Sequence, residues 1–139
     1  MKNSFSLIVD ANLKNEAFIR NSLASFILPL NPTVAELNDI KTAVSEAITN
    51  CIVHGYNGGQ GKIYIDCSEE DSFVEIIIKD NGVGIENIKK AREPFFTTKA
   101  SEERSGMGFT LMETFMDSLD VLNAENGGVI VKMTKQIHG

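Results

Sequence analysis

The sequence has 139 residues, 13 Lys+Arg against 19 Asp+Glu, a net charge of −6 and 42% hydrophobic residues, the size and balance of one globular domain spanning 1–139. The acidic excess argues against a non-specific nucleic-acid coat, which needs a dense basic face. No apolar run approaches the ~18 residues of a membrane span, the apolar stretch after Met1 is short for a signal peptide, and two cysteines at irregular spacing form neither a disulfide framework nor a zinc motif.

The expectation is therefore a cytoplasmic protein with Cys51 and Cys67 as small core residues. Phe5, Leu7 and Val9 alternate, which predicts a strand over 4–10. Asn12 can cap a helix running to about Leu28, with Phe18, Ile19, Leu23, Phe26 and Ile27 as its apolar positions. Glu16 and Arg20 lie four apart on its other face, and Pro29 and Pro32 end it. Thr33-Val34-Ala35-Glu36 is a capping box. The helix it opens carries Leu37, Ile40, Ala43, Val44, Ala47, Ile48, Cys51 and Ile52 at helical spacing, and stops near His54-Gly55. A glycine-rich turn over 55–61 leads to alternating Ile63, Ile65 and Cys67 and then to Phe73–Lys79, an antiparallel hairpin. A loop over 80–85, a short helix over 86–92 and a polar Gly/Ser/Thr-rich stretch over 93–108 follow. A structureless stretch of that length reads as a functional loop or lid that closes over a ligand. Phe109, Met112, Phe115, Met116 and Leu119 return to helical spacing. Strands over 119–124 and 129–135 flank the turn Glu125-Asn126-Gly127-Gly128. Strands in hairpins with helices between them predict a two-layer α/β sandwich: a mixed sheet with helices on one face.

Three polar constellations sit on this frame. Glu46, Asn50 and His54 are spaced i, i+4, i+8, so they form one ladder along the helix flank, drifting about 40° per step toward the apolar stripe. Taken alone, such a ladder also occurs by chance on a solvated helix face. Asp80-Asn81-Gly82-Val83-Gly84 leaves a strand end. Its two glycines let backbone approach a flat ligand, and an ionised Asp80 is a pure acceptor that suits an exocyclic amine such as adenine N6 but repels the carbonyl of guanine. A plain turn is the alternative. Gly106-Met107-Gly108 precedes a helix, where free N–H groups and the helix dipole favour phosphate, and Lys99 and Arg104 lie just upstream. Other phosphate and nucleophile motifs fail. Gly61-Lys62 lacks the spaced glycine and following Ser/Thr of a P-loop, no G-x-G-x-x-G follows a strand, and no G-x-S-x-G elbow occurs. His138 reads as a frayed tail.

Taken together and in this order, Glu46-x3-Asn50-x3-His54-Gly55, Asp80-x-Gly82-x-Gly84 and Gly106-x-Gly108 resemble the N box and the two glycine boxes of the GHKL ATPase/kinase superfamily. That resemblance implies the Bergerat ATP-binding fold. The phrases Ser45–Asn50, His54–Asn57, Phe96–Lys99 and Glu103–Thr110 are further similar to the anti-sigma serine kinases of sporulating bacteria, over nearly the whole chain. The resemblance implies Glu46 as general base, Asn50 as a Mg²⁺ ligand, Asp80 as the adenine reader, and Gly82, Gly84, Gly106 and Gly108 as shapers of the nucleotide pocket. Lys99 and Arg104 are candidates to neutralise phosphate charge. It also implies ATP and Mg²⁺ as cofactors, a sigma factor and a serine-bearing anti-anti-sigma protein as partners, Arg20 as a partner contact and a homodimer. A stress-response anti-sigma kinase of the same fold, or a nucleotide-bound module that sequesters sigma without transferring phosphate, are the rival readings. One departure stands out: where the family carries threonine after the last turn glycine, Gly128 is followed by Val129 and Ile130.

Overall fold

A computed structural model describes residues 1–93, 108–125 and 127–139. Its elements are β1 (Asn3–Asp10), α1 (Glu16–Ile27), α2 (Val34–Asn50), β2 (Lys62–Glu70), β3 (Phe73–Asp80), α3 (Ile88–Ala91), α4 (Gly108–Phe115), β4 (Ser118–Asn123) and β5 (Val129–Gln136). The strands form one five-stranded sheet in the order β1-β2-β3-β5-β4.

The sheet expected to be mixed is antiparallel at every pairing. Two helices in series between β1 and β2 return the chain to the end it left, so β2 runs back beside β1. Between β3 and β4 the chain crosses over by way of α3 and α4, and these two strands point the same way. They would pair in parallel if they touched, but β5 inserts between them and is antiparallel to both.

Because side chains alternate, the register aligns two full rows on the helix side of the sheet. Phe5, Cys67, Ile76, Met133 and Leu119 form one; Leu7, Ile65, Ile78, Val131 and Val121 form the next. A third row begins Val9, Ile63, Asp80, so a carboxylate ends a core-facing row. Against this layer α1 lays Ile19, Leu23, Ala24 and Ile27, α2 lays Ile40, Ala43, Val44, Ala47 and Ile48, and α4 lays Phe109 and Met112. Phe18, counted among the apolar positions of the first helix, instead stands 54% exposed, because the buried stripe of α1 centres on Ile19 and Leu23. The opposite face carries Ile8, Tyr64, Lys79, Ile130 and Leu122 in one row, with Ile8 68% and Leu122 58% exposed. No helix among the described residues is long and apolar enough to cross a membrane.

The capping box closes as the sequence indicates: Thr33 Oγ1 accepts from the Glu36 N–H at 3.0 Å and Glu36 Oε1 accepts from the Thr33 N–H at 2.9 Å. The same carboxylate also accepts from the backbone N–H groups of His138 (2.7 Å) and Gly139 (3.2 Å), so the expected frayed tail is in fact tied to the start of α2. These donors, that of His138 foremost and Thr33 next, hold the Glu36 carboxyl down at about 2. A depressed carboxyl contributes stability that is complete above its unfolded value near 4.5 and is lost as pH falls through about 2. Glu36→Gln is therefore expected to flatten the fall in thermal midpoint between about pH 4.5 and pH 2 relative to the parent. Superimposable midpoint-versus-pH curves would contradict this.

Candidate functional site

The ladder on α2 is half-buried at Glu46 and Asn50. Beyond Asn50 the helix does not stop but widens into a π-type turn over Cys51–Gly55, with the Tyr56 N–H bonding the Cys51 carbonyl at 3.0 Å. Such wide turns concentrate at functional sites. Here it redirects His54 and Gly55 toward the end of β3, which the uniform α-helical drift did not foresee.

Asp80 ends β3 and is 3% exposed. Its Oδ1 accepts the Gly82 N–H at 2.9 Å and the Val129 N–H at 3.3 Å. Burial first, and the Asp80 charge second, push the Cys51 thiol up, while burial pushes Cys67 up to about 12. Both are free, buried thiols. Where the family resemblance leads one to expect a threonine hydroxyl, this strand offers Asp80 a backbone N–H.

Two glycines are dictated by space. A Cβ on Gly82 would lie 2.0 Å from the Gly55 carbonyl oxygen, the same oxygen that accepts the Val83 N–H at 2.9 Å. A Cβ on Gly128 would lie 2.0 Å from the Asp80 carbonyl oxygen, and its φ of +78° is itself in the left-handed region. Backbone from three directions thus crowds around the Asp80 main chain, and only glycine permits it.

The third constellation is divided. Gly108 opens α4, and a Cβ built on it would stand 3.2 Å from Asn50 Nδ2, 3.3 Å from Asn50 Oδ1 and 3.4 Å from Glu46 Oε2. The start of α4, with its N–H groups unused by the helix ladder, therefore meets the carboxylate and the amide of α2. Lys99, Arg104 and Gly106, with the rest of the expected lid over 94–107, lie outside the described residues.

Asn50, His54, Asp80, Gly84 and Gly108 all line one cavity of about 950 Å³, the upper end of the range for small-molecule sites. Glu46 stands beside Gly108 at its edge, and Gly82 lies behind its wall against Gly55. Arg20 is elsewhere, on α1. Its guanidinium pairs with the Glu16 carboxylate at 2.8 Å and reaches Ser45 Oγ at 3.4 Å, with its side chain 30% exposed. The Glu16–Arg20 ion pair is thus lodged against α2, one residue from Glu46.

Sequence reasoning did not single out Asn123 or Lys90, which also line the cavity. Nor did it single out the Tyr56 hydroxyl, which accepts the Asn81 N–H at 2.7 Å and donates to the Lys62 carbonyl at 2.5 Å. A lone Asn before a turn carries no signal beyond turn chemistry. The tyrosine follows His54-Gly55, a position where the resemblance gave a hint without a role.

A family model described as a histidine kinase-like ATPase domain matches residues 9–135. The chain is 54% identical over 138 residues to the anti-sigma F factor of Oceanobacillus iheyensis, covering 99% of this chain and 94% of the relative. It is 49% identical to that of Bacillus licheniformis and 48% to that of Bacillus cereus, with the same coverage. Among solved structures, the crystal structure of the RsbU and RsbW domains of a Mycobacterium tuberculosis protein superposes with a TM-score of 0.68 at 16% identity, over 97% of this chain and 32% of that longer one. This likeness concerns the fold.

Proposed function

The chain belongs to the histidine kinase-like ATPase domain family, and from that premise we propose that it is an anti-sigma factor and ATP-dependent serine-protein kinase. On this reading it holds a sporulation sigma factor and phosphorylates a serine of a small anti-anti-sigma protein. The phosphorylated antagonist no longer binds, and the sigma factor stays sequestered. The observation that supports this best is the meeting of Glu46 and Asn50 with Gly108 beside a cavity with the buried Asp80 carboxylate in its wall. A base, a neutral oxygen donor, a helix N-terminus and an adenine-specific acceptor are the parts that phosphoryl transfer needs, since that reaction depends on positioning and charge stabilisation.

Asp80 accepts from the adenine amine, and Gly82 and Gly84 let the loop lie close to the base. Asn50 offers its amide oxygen to Mg²⁺, which favours few protein ligands alongside phosphate and water; once bound, the ion offsets phosphate charge. Glu46 takes the proton of the acceptor serine as its oxygen bonds to the γ-phosphorus and the bond from that phosphorus to the leaving ADP oxygen breaks. Gly108 and Gly106 shape the phosphate side, and Lys99 and Arg104 supply cations there.

Arg20 is proposed as a contact shared by sigma factor and antagonist, since a guanidinium already oriented by Glu16 presents its remaining donors at low entropic cost. A second copy of the chain is proposed to cover the open sheet face around Ile8 and Leu122, a homodimer that sedimentation analysis would detect.

The test of the function incubates the purified chain with γ-labelled ATP, Mg²⁺ and the anti-anti-sigma protein. Label on a serine of that protein is the expected result. Nucleotide binding with sigma retention but no label would leave a sequestering module and overturn the kinase reading. In pull-downs with each partner, Arg20→Glu is expected to weaken capture of sigma, of antagonist or of both by tenfold or more, with ATP affinity unchanged. Capture of both partners equal to the parent's would refute the role of Arg20.

A further inference from the structure

We propose that Asn123 is a positioning residue of the nucleotide site, clamping the glycine loop that forms one wall of the cavity. Asn123 is the last residue of β4, far in sequence from any of the three constellations. Its side-chain amide makes two bonds to a single backbone unit: Oδ1 accepts the Ile85 N–H at 2.8 Å and Nδ2 donates to the Ile85 carbonyl at 2.7 Å. Ile85 lies beyond the end of β3, where the strand ladder has stopped. The amide therefore satisfies both backbone groups as a neighbouring strand would.

The geometry shows why this bond pair matters to the cavity. The first half of the loop is held at Asn81 by Tyr56, at Gly82 by Asp80 and at Val83 by Gly55. Gly84 follows with φ +76°, a swivel point, and the second half leads to Asn87, which caps α3. Gly84, Ile85 and Asn87 all line the cavity, as does Asn123 itself. Asn123 is the side-chain anchor between the swivel and the cap. With it, the wall after Gly84 is hydrogen-bonded at a set distance from the wall that Asp80 forms; without it, among the described residues, that segment keeps the packing of Ile85 and Ile88 against the core but loses its side-chain hydrogen bonds. The packing at the swivel agrees, since a Cβ on Gly84 would stand 3.0 Å from Asn123 Oδ1. A pre-set wall raises affinity by removing the ordering that binding would otherwise require.

This role rests on the nucleotide reading above, and it makes Asn123 act through Ile85 rather than in the transfer step. Asn123→Ala is accordingly expected to raise the Kd for both ATP and ADP about tenfold, the effect of two lost backbone anchors. It should raise the KM for ATP by a similar factor and leave kcat at saturating ATP within about twofold of the parent. Faster hydrogen exchange at the Ile85 amide should accompany the change. Asn123→Asp, close to isosteric, keeps an acceptor for the Ile85 N–H but loses the donor to its carbonyl, and is expected to show the same split; it carries the test if the alanine variant does not fold. An Asn123→Ala protein that binds ATP as tightly as the parent, or one whose kcat falls while KM stays put, would overturn the role of Asn123 alone. A parent that binds neither ATP nor ADP would overturn the nucleotide reading and this role together.

Discussion

Glu46→Gln is expected to slow phosphoryl transfer to the acceptor serine by two orders of magnitude or more while leaving ATP affinity within about twofold of the parent. The carboxylate lies one helical turn before Asn50 and its Oε2 approaches the position a side chain on Gly108 would take, 3.4 Å away. It is thus beside the start of α4 yet outside the lining of the cavity, which suits a group that meets the incoming serine rather than the nucleotide. Glutamine keeps the shape and the hydrogen-bonding reach but cannot take a proton at the oxygen, so binding and transfer should separate. Single-turnover transfer together with an ATP titration of the same sample measures both. Transfer at the parental rate would remove Glu46 from the chemistry; loss of ATP binding in step with transfer would make it a binding residue instead.

Asp80→Ala is expected to weaken ATP binding by two orders of magnitude or more, a larger loss than one exposed hydrogen bond explains. The substitution deletes an acceptor aimed at the cavity. It also strands the N–H groups of Gly82 and Val129 that Oδ1 satisfies, and the wall they form loosens. Asp80→Asn separates the two effects. Its amide oxygen can still accept from Gly82 and Val129, so the fold of the loop survives, but an NH₂ group now faces the adenine amine. Parent protein should prefer ATP over GTP strongly, because a carboxylate repels the guanine carbonyl, and Asp80→Asn should narrow that preference by weakening ATP. Calorimetric titration with each nucleotide gives the ratios. Equal affinity of the parent for ATP and GTP would sink the assignment, as would undiminished ATP binding by Asp80→Ala.

Much of this arrangement is local and was therefore legible in the amino acids. The capping box at Thr33–Glu36, the apolar period from Leu37 to Ile52 and the spacing of Glu46 and Asn50 all depend on residues three or four apart, and the helix realises them directly. The hairpin of β2 and β3 follows from alternation on either side of a short turn. Tertiary structure decided what local rules leave open. Whether β4 pairs with β3 or stands one place away depends on where β5 inserts, and no periodicity within a strand encodes its neighbour. The widened turn at Cys51–Gly55 arises where α2 meets the exit of β3, at the contact of Gly82 with the Gly55 carbonyl, and so could not be read from α2 alone. Phe18 is exposed because the sheet takes only the stripe through Ile19 and Leu23. The bonds of Glu36 to residues 138 and 139, and of Asn123 to Ile85, join positions 102, 103 and 38 apart in the chain. Side chain-to-backbone bonds over such separations form only after the sheet has brought their partners together, and the amino-acid pattern around each residue is the same whether they form or not.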